Sequence, residues 1–254
     1  MTPEEKQEEI KRLTKQIQDN AEAVKKSVPK EAPKRNVVKE GQLFFGPYVP
    51  LCKVHDSLIT GLLKRGEKLT PGDKNSTLAG QLKDQRGYTM EDKEWYIKEF
   101  APYVEWYLEG ALKWSQQKYD PQQHTKSFTL IDLWINYMKP HEYNPDHNHG
   151  GQLSWVIFLD TPDLKEEQKA FEGTSSPPGS IVFSYGESTN PKWAESTFRY
   201  DPQPGYMWVF PAQLRHQVMP FHTPNVQRIS VSGNLFLQPP GSPNTVSQKF
   251  DGQL

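Results

Sequence analysis

Ile10, Leu13, Ile17 and Val24 recur at spacings of three, four and seven residues, with polar side chains on nearly every position between them. That spacing predicts a helix over residues 2–28 with one narrow apolar stripe. Thr2 can cap it, Pro3 suits its first turn, and Glu4 and Glu5 favour the positive end of its dipole. VPKEAPKR (residues 28–35) then sets two prolines among charges, which is linker composition. The stripe either pairs with a partner helix, giving a homo-oligomer, or lies on the chain's own domain. Residues 1–40 thus read as a helical arm and linker, 41–240 as one domain, and 241–254 as an irregular tail.

Two further helices precede the strands. Over residues 55–68, Leu58, Ile59, Leu62 and Leu63 share one side and Gly66 stands at the end. Residues 88–114 form a longer helical segment in which Pro102 marks a place for a kink. Its aromatics, Trp95, Tyr96, Phe100, Tyr103, Trp106 and Tyr107, are expected to pack against a sheet, the alternative being an aromatic-lined binding groove. From Phe128 the period changes to two. Within residues 127–138, Thr129, Ile131, Leu133 and Ile135 point one way, and Asp132, Trp134 and Asn136 the other. LSWVIFL (153–159) is apolar on both faces, which predicts an interior strand. Residues 179–186, 205–211 and 228–237 bring the count to five strands. Helices followed by a block of strands indicate an α+β chain whose core is a sandwich or barrel.

Composition narrows the setting. Thirty Lys and Arg against thirty-one Asp and Glu leave a net charge of -1, so the overall basic excess that drives phosphate-backbone binding is missing and no nucleic-acid partner is expected. The single cysteine, Cys52, cannot close an internal disulfide, which suits a reducing compartment. The charged start MTPEEKQEEIKRL does not read as a signal peptide, and no run approaches the ~20 apolar residues that span a bilayer. The expectation is a soluble cytoplasmic protein with no membrane partner.

The candidate chemistry lies in PDHNHGGQLSWVIFLDTP (145–162). In an extended strand, residues two apart point to one side. His147 and His149 would project together there, with Asp146 and Asn148 opposite. Two converging imidazoles suit zinc, copper, nickel or iron. Downstream, a Gly-led apolar strand ends at Pro211, and His216 follows. Twelve residues on, Arg228, Ser230, Ser232 and Asn234 alternate against Ile229, Val231 and Leu235. A strand whose polar face lines a cavity explains that alternation. There Arg228 offers a rigid fork, and Ser230 a hydroxyl without bulk, for a carboxylate held end-on. Asn136 and Trp134 are further candidates for contacts with the metal's surroundings or a co-substrate. His141 and His222, in turns beside prolines, read as surface residues.

His147-Asn148-His149, LSWVIFL, Gly205 through Phe210-Pro211 to His216, and Arg228-Ile229-Ser230-Val231-Ser232-Gly233-Asn234 together resemble the 2-oxoglutarate and Fe(II)-dependent oxygenases. The likeness is to a branch from bacteria and phages with an HxH…H…RxS pattern, and it covers roughly Phe45 to Leu237. It implies a double-stranded β-helix (jelly-roll) core with the N-terminal helices packed on one sheet. It also implies Fe(II) held by His147, His149 and His216, and 2-oxoglutarate as co-substrate with its distal carboxylate on Arg228 and Ser230. O2 would be the second co-substrate, and a C–H bond of a protein side chain (prolyl among them) or of a small molecule would be hydroxylated. Most such oxygenases carry a carboxylate where this chain has His149. Either the metal face is three histidines, or Asp146 reaches round through a local bulge; alternation favours His149. Two other readings remain: a cupin-type three-histidine dioxygenase or isomerase without 2-oxoglutarate, and a non-catalytic jelly-roll module.

Overall fold

The computed structural model describes residues 5–9, 11–16, 46–118, 120, 122, 124–186 and 196–248. The chain divides into two compact units, Met1–Leu43 and Phe44–Leu254. In the first, residues 5–9 and 11–16 are helical, with an ion pair between Glu9 and Arg12. Leu13 on the expected stripe is exposed. Thr2, Pro3, Ile10, Ile17, Val24 and the proline-containing linker lie outside the described residues. Among those described, no helix is long and apolar enough to cross a membrane.

The second unit begins with strand β1 (Leu51–Lys53) and helix α1 (Asp56–Gly66). The His55 imidazole accepts from the Ser57 amide at the start of α1, where Asp56 also sits, and Lys64 and Arg65 occupy its last turn. Charges of these signs complement the helix dipole at both ends. After β2 (Gln85–Gly87), helix α2 runs from Met90 to Trp114. Thr89 and Asp92 form a reciprocal capping box at its start, and α2 continues as one helix through Pro102. The cap and a well-packed face outweigh the loss of one backbone donor.

The strands form two sheets. Beyond β1 and β2, the larger contains β3 (Phe128–Met138), β5 (Leu153–Asp160), β8 (Tyr206–Pro211), β10 (Arg228–Leu237) and β11 (Thr245–Val246). Its order is β1-β8-β5-β10-β3-β11, with β2 also on β3. The smaller contains β4 (Asn144–His147), β6 (Ile181–Ser184), β7 (Thr197–Tyr200) and β9 (Arg215–Val218) in the order β4-β9-β6-β7. A one-turn helix, α3 (Lys165–Lys169), joins β5 to β6. From β3 to β6 and again from β8 to β10, successive strands alternate between the two sheets. That alternation is the double-stranded β-helix, or jelly roll.

The apolar positions divide accordingly. Trp155, Ile157 and Leu159 on β5, with Met207 and Val209 on β8, face α1 and α2, where Leu58, Leu62, Tyr96, Phe100, Val104 and Tyr107 are buried. Val156, Phe158, Trp208 and Phe210 face the other way, against Ile181 and Phe183 of β6. A central strand covered on both faces reads as a continuous apolar run, and β5 lies between β8 and β10. The α2 aromatics thus pack on the sheet as expected, with Phe100 centred 4.3 Å from Trp155.

Two sequence expectations change. Thr129 and Ile131 do not share a face with Leu133 and Ile135: the register between β10 and β3 shifts between Asn234 and Leu235. Leu130 opposes Leu235 while Asp132 opposes Asn234, so Ile131 is the extra residue and Phe128 and Leu130 join Leu133 and Ile135 in the helix-side core. A bulge reverses the sides of every residue before it. The C-terminal tail is not wholly irregular either. β11 pairs in parallel with β3, the Phe128 amide donates to Asn244, and the Thr129 and Thr245 hydroxyls lie 2.7 Å apart.

Trp155 is the largest side chain of the helix-side core and is 1% exposed. Trp155→Ala is expected to lower unfolding free energy by about 3–5 kcal/mol, read from the midpoint of urea denaturation.

Candidate active site

A cavity between the sheets is lined by Trp134, Asn136 and Met138 of β3, Asn144 and His147 of β4, His149 in the turn that follows, Val156 and Phe158 of β5, His216 of β9, and Arg228, Ser230 and Ser232 of β10, among others. Its geometry follows from register. Ser232 stands opposite Trp134 and Val156, Ser230 opposite Asn136 and Phe158, and Arg228 opposite Met138. These three rungs put one polar column of β10 and one of β3 on the same wall. On the smaller sheet His147 pairs directly with His216. His149 lies just beyond β4, its amide bound to Ala212 O at 2.9 Å.

The ligand atoms of His147, His149 and His216 all lie within 4.8 Å of one another. His149 Nε2 and His216 Nε2 are 3.2 Å apart. Two nitrogens at right angles about a metal with bonds of about 2.1 Å would stand about 3 Å apart, so the spacing fits a shared ion. The other ring nitrogens of His147 and His216 are occupied. His147 Nδ1 lies 2.7 Å from Pro145 O and His216 Nδ1 2.9 Å from Leu214 O. A carbonyl can only accept, so each Nδ1 carries the proton and each Nε2 keeps a lone pair for a ligand.

Burial favours the neutral form of all three rings. Desolvation holds His147 below its ordinary pKa and His149 well below it, while His216 is pushed down to about 4. Nearby imidazoles add to the effect at His149 and His216. Neutral imidazole is the form that binds a metal.

Asp146 points away from this group. Its carboxylate accepts from Arg215 Nε at 2.8 Å and from the Arg215 Nη2 as well, in an exposed pair. Asn148 likewise turns out, donating to Gln213. The local chain does carry a register shift between Asn144 and His147, but it does not bring Asp146 to the histidines.

Arg228 is buried, and desolvation pushes its pKa down to about 10, so it remains a cation at neutral pH. Its partners are the Gly179 carbonyl, 2.7 Å from Nη1, and the Met138 sulfur. No carboxylate of the described residues forms an ion pair with it. A buried charge without a counter-charge is costly, and an anion entering the cavity would remove that cost.

Ser230 is buried on the same face. Trp134 stacks obliquely near His149, ring centres 5.7 Å apart. Asn136 is buried, its Oδ1 accepting from Gln85 Nε2 at 2.9 Å. Gln85 was invisible in the sequence, since a Gln in QLKDQRG carries no periodicity; its place comes from β2 pairing with β3. His141 and His222 are exposed, as expected of surface residues, and their Nδ1 atoms lie 2.7 Å apart, away from the triad.

Residues 132–234 match the family model described as "Putative 2OG-Fe(II) oxygenase". Over this segment the chain is similar to the 2-oxoglutarate/Fe(II)-dependent oxygenases. They are enzymes that use Fe(II) and 2-oxoglutarate, and the matched segment runs from β3 to β10, including the cavity residues named above. No curated protein matches the sequence. Solved structures similar to the chain include a Pseudomonas putida prolyl-4-hydroxylase at 12% identity and TM-score 0.42, covering 73% of this chain and 90% of that one. HygX from Streptomyces hygroscopicus, solved with nickel and 2-oxoglutarate bound, is 9% identical with TM-score 0.44, covering 74% and 82%. AviO1 from Streptomyces viridochromogenes Tue57 is 11% identical with TM-score 0.44, covering 77% and 92%.

Two measurements test the oxygenase segment's histidines. His149→Ala is expected to lose stoichiometric Mn(II) binding in calorimetry while Asp146→Ala retains it; the reverse pair of outcomes would make the carboxylate the ligand. The second is pH dependence. A lowered pKa means the proton leaves at lower pH: His216, near 4, is already neutral at pH 6, and burial holds His147 and His149 below the ordinary imidazole value. Mn(II) affinity should therefore fall less between about pH 7.5 and 6 than it would for three ligands at the ordinary value of about 6.5.

Proposed function

We propose that the chain is a 2-oxoglutarate- and Fe(II)-dependent oxygenase that hydroxylates a C–H bond of a protein side chain, prolyl among the choices, or of a small molecule. One observation carries the reading beyond the family match. Arg228 is a buried cation without an acidic partner, in the same cavity as three neutral imidazoles whose lone pairs converge. A metal-binding group at one end and an unpaired guanidinium at the other suit a ligand that chelates at one end and carries a carboxylate at the other.

His147, His149 and His216 would hold the metal. Arg228 and Ser230 would hold the distal carboxylate of 2-oxoglutarate, and the Gly179 carbonyl, accepting from Nη1, fixes the guanidinium. When bound, Fe(II) with 2-oxoglutarate and O2 supplies the oxidising chemistry, in which the co-substrate loses CO2 to become succinate. The protein's own part is geometry and exclusion of water. Pro145 O and Leu214 O set two ring orientations, and Gln85 fixes the Asn136 carboxamide. Phe158, Val156 and Ile181 keep the cavity wall apolar. The cupin-type alternative gives the Arg228 column no purpose, and the non-catalytic alternative leaves both the converging lone pairs and the guanidinium unexplained.

Loading the protein with Fe(II) and 2-oxoglutarate under air should release succinate even without the natural substrate, as slow uncoupled turnover. Arg228→Ala should weaken 2-oxoglutarate about a hundredfold, the cost of about 3 kcal/mol expected when one partner of a buried charge pair is removed. Mn(II) affinity should not change. Equal binding of 2-oxoglutarate by parent and Arg228→Ala would place the carboxylate elsewhere.

We also take residues 41–240 as the catalytic domain and the N-terminal arm as separate from it. A chain begun at Lys39 is expected to bind Mn(II) and 2-oxoglutarate as the whole protein does. A change in mass by sedimentation on removing the arm would make it an oligomerisation element, and loss of folding would make it part of the core.

A further inference from the structure

Asn144 lies on β4 opposite Val218, one rung below the pairing of His147 with His216. It lines the cavity on the smaller sheet, with Asn136 and Ser230 on the larger one. It therefore sits between the level of the histidines and that of Arg228. Its Oδ1 is buried and has no hydrogen-bond partner. A buried carboxamide oxygen left unpaired is unfavourable, and each such atom in a folded protein calls for an explanation.

The explanation begins at Gly80. A Cβ built on Gly80 would stand 2.3 Å from Asn144 Oδ1 and 3.0 Å from Gln85 Nε2. The carbonyl of Asn144 is thus turned into a wall that only a glycine leaves open. Gln85 Nε2, on that wall, donates to Asn136 Oδ1 instead. A carboxamide carries its nitrogen on the other branch from its oxygen, and Asn144, whose oxygen stands against Gly80, lines the cavity. Gly80 is not among the glycines with positive φ, so alanine suits its backbone and would act there only by volume.

We propose that Asn144 binds the co-substrate: its Nδ2 donates to an oxygen at the chelating end of 2-oxoglutarate, and Gly80 is required because it admits the Asn144 carboxamide. The inference rests on the cavity being a 2-oxoglutarate site. An anion needs donors, and along this cavity Arg228 supplies them at one end while Asn144 supplies one nearer the histidines. An unpaired oxygen on the wall is the cost of turning the nitrogen inward.

The test is 2-oxoglutarate affinity of the Mn(II)-loaded protein by calorimetry, for the parent, Asn144→Ala, Asn144→Asp, Gly80→Ala, Gly80→Ala with Asn144→Ala, and Arg228→Ala. Asn144→Ala should weaken 2-oxoglutarate about tenfold, the loss expected for one hydrogen bond to a charged group. Asn144→Asp, of the same shape, should weaken it further, because a carboxylate repels the anion. Gly80→Ala should match Asn144→Ala, and the double variant should be no worse than either to within about twofold, since both remove one contact. Mn(II) affinity should hold throughout. Gly80→Ala binding as the parent does, multiplying effects in the double variant, or parent-like binding by Asn144→Asp would each overturn the proposal. A parent that binds Mn(II) but not 2-oxoglutarate would overturn the co-substrate reading and this inference together. A weak Arg228→Ala beside parent-like Asn144 and Gly80 variants would overturn this inference alone.

Discussion

The hydrogen-bonded ladder of β10 with β3 on one side and β5 on the other sets everything at the site. β10 pairs with β3 from Arg228 to Leu237 and with β5 from Ile229 to Leu235. Because side chains alternate along β10, fixing one of its residues inward fixes the side of its neighbours. Ser230 opposite Asn136 forces Arg228 and Ser232 inward, and the same register sends Ile229 and Val231 to the helices. A slip of one residue would bury Arg228 among the α1 and α2 side chains and leave the cavity apolar. The register is protected by Val231, fully buried on the helix side, and by Gly233, where a Cβ would meet the Trp155 indole at 2.3 Å.

Electrostatics then separate the two ends of the cavity. Both ends are dry, and the same desolvation leaves the groups there in different charge states. It drives the histidines to the neutral form, as metal ligation requires, while Arg228 starts from so high a pKa that even a large desolvation leaves it charged. One environment thus yields lone pairs at one end and a fixed cation at the other. Asp146 escapes because β4 is at an edge, where its carboxylate reaches Arg215 at the surface.

The longer strands of the larger sheet were legible, whereas β1, β2 and β11, two or three residues each, were not. Eight to eleven residues in β3, β5 and β10 carry enough alternation, or enough unbroken apolarity, to announce themselves. Three strands of the smaller sheet were not: NPDH, TFRY and RHQV are four residues each, mostly polar, and exist as strands only because partners pair with them. The bulge at Ile131 was equally hidden, since nothing local distinguishes one alternating residue as extra. At the site, His147, His149, His216 and the Arg228 column stood out by residue type and spacing. Asn144 did not, because asparagine before proline is ordinary turn composition. What singles it out is an unpaired oxygen and the glycine facing it, and neither exists before the chain folds.

The exchange of a carboxylate for His149 has a consequence that follows from charge alone. With His147, His149 and His216 as ligands, the protein contributes no negative charge to a divalent metal, and Arg228 adds a further positive one. The cavity would then carry a net +3 before the co-substrate enters, against +2 with a carboxylate at position 149. In a low-dielectric cavity that extra charge favours a dianion strongly. The co-substrate would thereby take over the neutralising part that a protein carboxylate plays elsewhere. Metal and 2-oxoglutarate would be more tightly coupled in this chain than on a two-histidine, one-carboxylate face, each raising the other's affinity by the same factor. On the proposed reading, the buried Arg228 and the neutral triad would be two halves of one arrangement, completed by a ligand with negative charge at both ends.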